Sequence, residues 1–83
     1  MTVVKHFTAS WCGPCRVVKP ILEDIARQNG TIRYSVIDID ANPEVAQAAG
    51  IRSIPVVIVE KNGVETSRII GAQSRTQYES VIL

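Results

Sequence analysis

Long apolar runs, surplus charge and scattered cysteines are all missing from this 83-residue sequence. The start, Met1 to Thr8, sets Lys5 and His6 inside a short apolar stretch. That is neither the apolar core of a secretory signal nor the roughly 20 residues of a membrane span. No membrane is expected as a partner, and the expected location is cytoplasmic. Nine Lys+Arg against eight Asp+Glu leave a formal charge of +1, so no polyanion-binding surface follows and no nucleic acid is expected. There are two cysteines, set close together in Trp11-Cys12-Gly13-Pro14-Cys15, which excludes the disulfide framework of a small secreted domain. Disorder is excluded as well, because 46% of the residues are hydrophobic and 20% are charged. A chain this short supports one core, so residues 1–83 are expected to form a single domain.

What is present alternates between two periods. Thr2 to Thr8 is β-prone, and Val17, Val18, Ile21, Leu22, Ile25 and Ala26 then recur at helical spacing. Pro14 suits a first helical turn and Asn29-Gly30 a left-handed stop, so a helix starting at the cysteines is expected, kinked near Arg16 by Pro20. Ile32, Tyr34 and Val36 alternate with Arg33 and Ser35, the pattern of an edge strand with one wet side. Asn42-Pro43-Glu44 gives an N-cap, a first-turn proline and an early acid, and Gly50 closes a short second helix. Pro55 opens the apolar run Val56 to Val59, expected as a buried strand. Asn62-Gly63 is the pair that a two-residue type I′ turn needs, with Val64 to Ile70 as the return strand. Thr76 with Glu79 reads as a capping box for a last short helix reaching Val81, Ile82 and Leu83. The order strand, helix, strand, helix, strand, strand, helix gives a mixed α/β layer structure.

Two thiols this close at a helix start lie within disulfide reach, and the free amides there favour the thiolate of the first. Cys12 is then the nucleophile. Cys15, one turn further in, is the resolving thiol, protonated by burial until a mixed disulfide forms on Cys12. Trp11 offers an apolar platform, Pro14 stiffens the loop, and Arg16 and Lys19 add positive charge. The same C-x-x-C spacing also serves zinc or iron–sulfur clusters. A structural zinc takes four ligands, however, and this chain offers two Cys and one His. No metal is expected.

The run Phe7 to Cys15, Pro20, Asp38-Ile39-Asp40 with Asn42-Pro43, Gly50 to Pro55, Lys61-Asn62-Gly63 and Gly71-Ala72 together resemble the thioredoxin family in order and spacing. The resemblance covers nearly the whole chain. It implies a thioredoxin-like three-layer fold: a four-stranded mixed sheet of order 2-1-3-4 with three helices. The family's first strand and helix have no counterpart here, which leaves Ile32 to Ile37 as an exposed edge. Cys12 and Cys15 match the catalytic pair and Trp11 the flanking tryptophan, while Ile54-Pro55 match a loop whose proline is cis. Gly13, Pro14, Gly71 and Ala72 line the same substrate groove. His6 stands where the family usually has a buried aspartate, its accompanying lysine aligns with Val36, and Thr8 replaces a common tryptophan. Two readings of His6 stay open: a neutral, hydrogen-bonded core histidine with no part in exchange, or the proton acceptor for Cys15.

The function implied is reduction of protein disulfides through the Cys12/Cys15 dithiol, with no bound cofactor beyond the redox-active disulfide itself. Implied partners are a flavin-dependent thioredoxin reductase and disulfide-containing clients such as ribonucleotide reductase, with the chain acting as a monomer. Two alternatives remain. One is a glutaredoxin-like reductant coupled to glutathione, the other a non-enzymatic binding module whose C-x-x-C holds a metal.

Overall fold

A computed structural model describes the chain from Met1 to Leu83. The elements are β1 (Thr2–Thr8), α1 (Gly13–Gln28), β2 (Ile32–Asp38), α2 (Pro43–Ala48), β3 (Val56–Lys61), β4 (Val64–Ile70) and α3 (Arg75–Ile82). The four strands lie in the order β2-β1-β3-β4, as the resemblance implies. β1 runs parallel to β2 and antiparallel to β3. A parallel pair needs a long crossover, which α1 supplies. The antiparallel β3–β4 pair needs only a tight turn, and Asn62 (φ 55°) and Gly63 (φ 83°) both take the positive φ of type I′.

Strand alternation sorts the core. β1 sends Val4 and His6 to one face of the sheet and Phe7 to the other. On the first face Val4 packs with Val18, Leu22 and Ile25 of α1, Val57 and Val59 of β3, and Tyr78 and Ile82 of α3. On the second, Phe7, Val56 and Ile58 meet Ile37, Ile39, Ala49, Ile51 and Ile54 around α2. β3 is covered on both sides, hence its unbroken apolar run. The result is helix, sheet, helix in three layers, with β2 as an edge strand on which Arg33 and Val36 are exposed.

The helix ends differ from the sequence reading in three places. α1 runs unbroken through Pro20 and stops at Asn29, which is extended (φ −131°) rather than left-handed. Its side-chain amide donates to the Ile25 carbonyl at 2.8 Å, so a side chain rather than a glycine satisfies the helix end. Asn42 makes no side-chain cap to α2; its amide donates instead to the Asp38 carbonyl at 3.2 Å. The capping box of α3 is Ser74 with Gln77, not Thr76 with Glu79. Ser-x-x-Gln serves as well as Thr-x-x-Glu, and the earlier start frees Glu79 to pair with Arg75 at 3.1 Å. Gly50 closes the α2 turn at φ 72°, as its position suggests.

Candidate active site

β1 delivers the chain to the top of the sheet, and α1 begins at once with Cys12 as its N-cap. The Cys12 Sγ accepts the Cys15 backbone N–H at 3.2 Å, so one of the otherwise unpaired amides of the first turn points at sulfur. Cys12 and Cys15 form a disulfide with Cα atoms 5.4 Å apart. Both are buried, yet Trp11, Gly13 and Pro14 around them are exposed, Trp11 at 65%. The loop is tied on both sides. The Trp11 indole N–H donates to the Asp40 carboxylate at 2.8 Å, and Arg16 donates to the Ser10 carbonyl at 2.8 Å.

The other wall comes from distant sequence. The Ile54–Pro55 peptide bond is cis, and Ile54 packs on the small cluster of Ala9, Cys12 and Cys15. Gly71 follows β4 at φ 86° and donates its N–H to the Pro55 carbonyl at 2.8 Å. This bond joins the cis-proline loop to the end of the hairpin, with Ala72 exposed beside it. The structure thus gathers Trp11, Cys12, Gly13, Pro14, Cys15, Ile54, Pro55 and Gly71 at one end of the sheet. Asp40 was not legible as a site residue. Its partner lies 29 positions away, and nothing in Asp38-Ile39-Asp40 marks which carboxylate meets the indole.

His6 lies on the α1 side of the sheet and is fully shielded from solvent. Its Nδ1 is 3.1 Å from the Tyr34 hydroxyl, and its Nε2 has no partner. Burial, reinforced by the charge of Lys19, pushes its pKa down to about 4, so the ring is neutral at neutral pH. Tyr34 is pushed up to about 12 by burial and by Glu23. Beside Cys15 a cavity of about 270 Å³ is bordered by Thr8, Ser10, Lys19, Val36 and Asp38. No group of three or more His, Cys, Asp or Glu gathers in a way that would hold a metal ion.

A helix start aimed at one sulfur lowers the cost of a thiolate there, and a second sulfur one turn away closes on it. Such a pair, able to open and close a disulfide beneath an exposed lip, defines a thiol–disulfide oxidoreductase. The thioredoxin family model matches residues 1–83. The chain is 38% identical over 81 residues to a thioredoxin of Listeria monocytogenes, covering 96% of this chain and 79% of that protein. It is 43% identical over 75 residues to thioredoxin 1 of a Nostoc species, covering 89% and 70%. The crystal structure of oxidised mitochondrial thioredoxin 3 from Saccharomyces cerevisiae superposes with a TM-score of 0.90 at 31% identity, covering 98% of this chain and 76% of that one. The chain belongs to the thioredoxin family and is a protein-disulfide oxidoreductase.

Proposed function

We propose that the chain acts as a reductant of protein disulfides, with Cys12 as nucleophile and Cys15 as resolving thiol. The carrying observation is the Cys15 N–H on the Cys12 sulfur, which favours negative charge at Cys12 and not at Cys15. The Cys12 thiolate attacks one sulfur of the client disulfide; a Cys12–client bond forms and the other client sulfur leaves, taking a proton from water. Cys15 then gives up its proton and attacks Cys12 Sγ. The Cys12–Cys15 bond forms, the client thiolate leaves and is protonated, and the client has gained two electrons. Trp11, Gly13, Pro14, Ile54, Pro55, Gly71 and Ala72 form the surface on which an extended client segment lies. A thioredoxin reductase returns the pair to the dithiol, and clients of the ribonucleotide reductase kind fit this chemistry. The protein works as a monomer in the cytoplasm, where a thiol pair is kept reducible.

The test is insulin reduction driven by dithiothreitol. Wild type is expected to accelerate it, Cys12→Ser to fall to background, and Cys15→Ser to hold clients as mixed disulfides on Cys12. Capture by Cys12→Ser but not by Cys15→Ser would reverse the two roles. Efficient coupling to glutathione and glutathione reductase would instead mark a glutaredoxin-like reductant.

A further inference from the structure

His6 carries the buried side-chain nitrogen that has no partner, in a fold that otherwise pairs such atoms. Its place follows from strand register. His6 shares a face of β1 with Val4, which packs beneath α1 against Val18 and Leu22. Its neighbours across the sheet are Val36 on β2 and Val57 on β3. Val36 lines a single cavity with Cys15, Lys19 and Thr8, the next β1 residue on the face of His6. The imidazole therefore lies on the α1 side of the sheet, near enough to Lys19 to feel its charge, and its strand neighbour Val36 borders the cavity that Cys15 also lines.

A neutral imidazole has two tautomers. With the proton on Nε2, a buried N–H is stranded, the rarer fault in folded proteins. With the proton on Nδ1, that N–H donates to the Tyr34 oxygen, and the stranded group is a lone pair, the milder of the two. Tyr34 is half-buried, so its own hydrogen can turn outward. The charged and titratable groups near the pair are Lys19 and Glu23 on α1, with Arg16 of α1 and Asp38 at the end of β2 bordering the adjoining cavity. From β3 the facing residues are Val57 and Val59, and the Tyr78 hydroxyl of α3 is engaged with Gly71.

We propose that Tyr34 is a positioning residue that holds His6 in the Nδ1–H tautomer, so that the free Nε2 accepts the S–H of Cys15 in the reduced protein. The proposal rests on the dithiol reading above. In the disulfide, Cys15 Sγ carries no hydrogen and the lone pair has nothing to accept. Reduction by an external dithiol, which is itself oxidised to a disulfide, supplies two electrons; with two protons the Cys12–Cys15 bond becomes two thiols. Released from Cys12, Cys15 Sγ turns its new hydrogen toward Nε2. Burial and Lys19 keep the ring unprotonated, as an acceptor must be. Because the bond exists only in the reduced state, it makes the protein a milder reductant.

The chain contains one histidine, so nitrogen-15 histidine spectra of the whole protein report on His6 alone. The oxidised protein is expected to show a protonated Nδ1 and a bare Nε2. Reduction with dithiothreitol should move the Nε2 signal toward the hydrogen-bonded range and leave Nδ1 in place; in Cys15→Ala, dithiothreitol should move neither. Tyr34→Phe should lose the single tautomer. His6→Leu and Tyr34→Phe should each shift the exchange equilibrium about fivefold toward the disulfide, roughly 20 mV, as expected for one neutral hydrogen bond. A proton on Nε2 in wild type, or an Nε2 signal identical in both redox states, overturns the proposal; the second outcome would mean a water as the partner. Failure of wild type to reduce insulin would sink the reductant reading alone, since dithiothreitol still opens the disulfide and His6 can still be read.

Discussion

The two faces of the sheet are built to different standards. Beneath α1 and α3 lies a cluster of eight buried residues, in which Val18, Val57, Val59 and Tyr78 are wholly shielded. Around α2 the buried cluster is Phe7, Val56 and Ile58, and their neighbours are only partly covered. There an open groove of about 540 Å³ remains, bordered by Lys5 with Glu60 and by Arg68 with Glu65. Element length accounts for the difference. A helix rises about 1.5 Å per residue and a strand about 3.3 Å. On those values the 16 residues of α1 match the reach of a seven-residue strand, whereas the six of α2 cover less than half of it. His6 belongs to the thick face, whereas Cys15, at the start of α1, sits in a small cluster of its own with Ala9 and Cys12 against Ile39 and Ile54. The sulfur that must return to the same place after every cycle is thus carried by the helix with the most packing beneath it.

The sharpest way to break this comparison is to cut one side chain from each face. Leu22→Ala, on the thick side and 1% exposed, is expected to cost about 3–5 kcal/mol in urea unfolding. Ile37→Ala, half-buried by the groove, should cost about 1–2 kcal/mol, because solvent already reaches part of the side chain. Equal losses would show that the groove is closed in solution and that the two faces are equivalent.

The thick face has one weakness that the thin face lacks. The folded state holds His6 near pKa 4, while the unfolded chain titrates it near 6.5. Between those values the unfolded state binds the extra proton, so stability falls as pH falls from 6.5 towards 4, by up to about 3 kcal/mol. Asp24, held below the usual carboxylate range by Arg75 and Arg27, keeps its contribution until lower pH and then loses it. His6→Leu should flatten the curve between pH 6.5 and 4. A wild-type stability that is level across that window would mean the imidazole takes up a proton without unfolding.

Much of this was legible because it is local. Asn62-Gly63, the helical spacing from Val17 to Ala26, the apolar run of β3 and the cysteines at a helix start each act through near neighbours, and each stands where the sequence put it. The helix ends were less legible, since Ser74 and Thr76 both begin an acceptable capping box and only the path of the chain after Gly71 selects between them. Pairings across the fold were not legible at all. Trp11 with Asp40 and His6 with Tyr34 join positions 29 and 28 apart, and the polar partner in each is one of several equivalent candidates until the strands are in register. The cis bond before Pro55 came from resemblance, because an X–Pro bond on its own favours trans.

The smallest expected effect belongs to the Lys5–Glu60 ion pair on the groove side, at 2.8 Å. Lys5 is opposite Ile58 and Glu60 is opposite Val3, so the two are diagonal neighbours on antiparallel strands. Both side chains keep solvent contact, at 36% and 25%, which leaves most of the Coulomb attraction to be screened. A double-mutant cycle with Lys5→Met and Glu60→Gln is expected to give a coupling of about 0.5 kcal/mol in low salt and close to none in 0.5 M salt. Lys5→Ala should cost more than Lys5→Met at every salt concentration, because the methylene stem of Lys5 borders the same groove as Phe7 and Ile58. If instead the two variants matched and the coupling survived high salt, the pair would be desolvated, and the groove would be covered by something in solution.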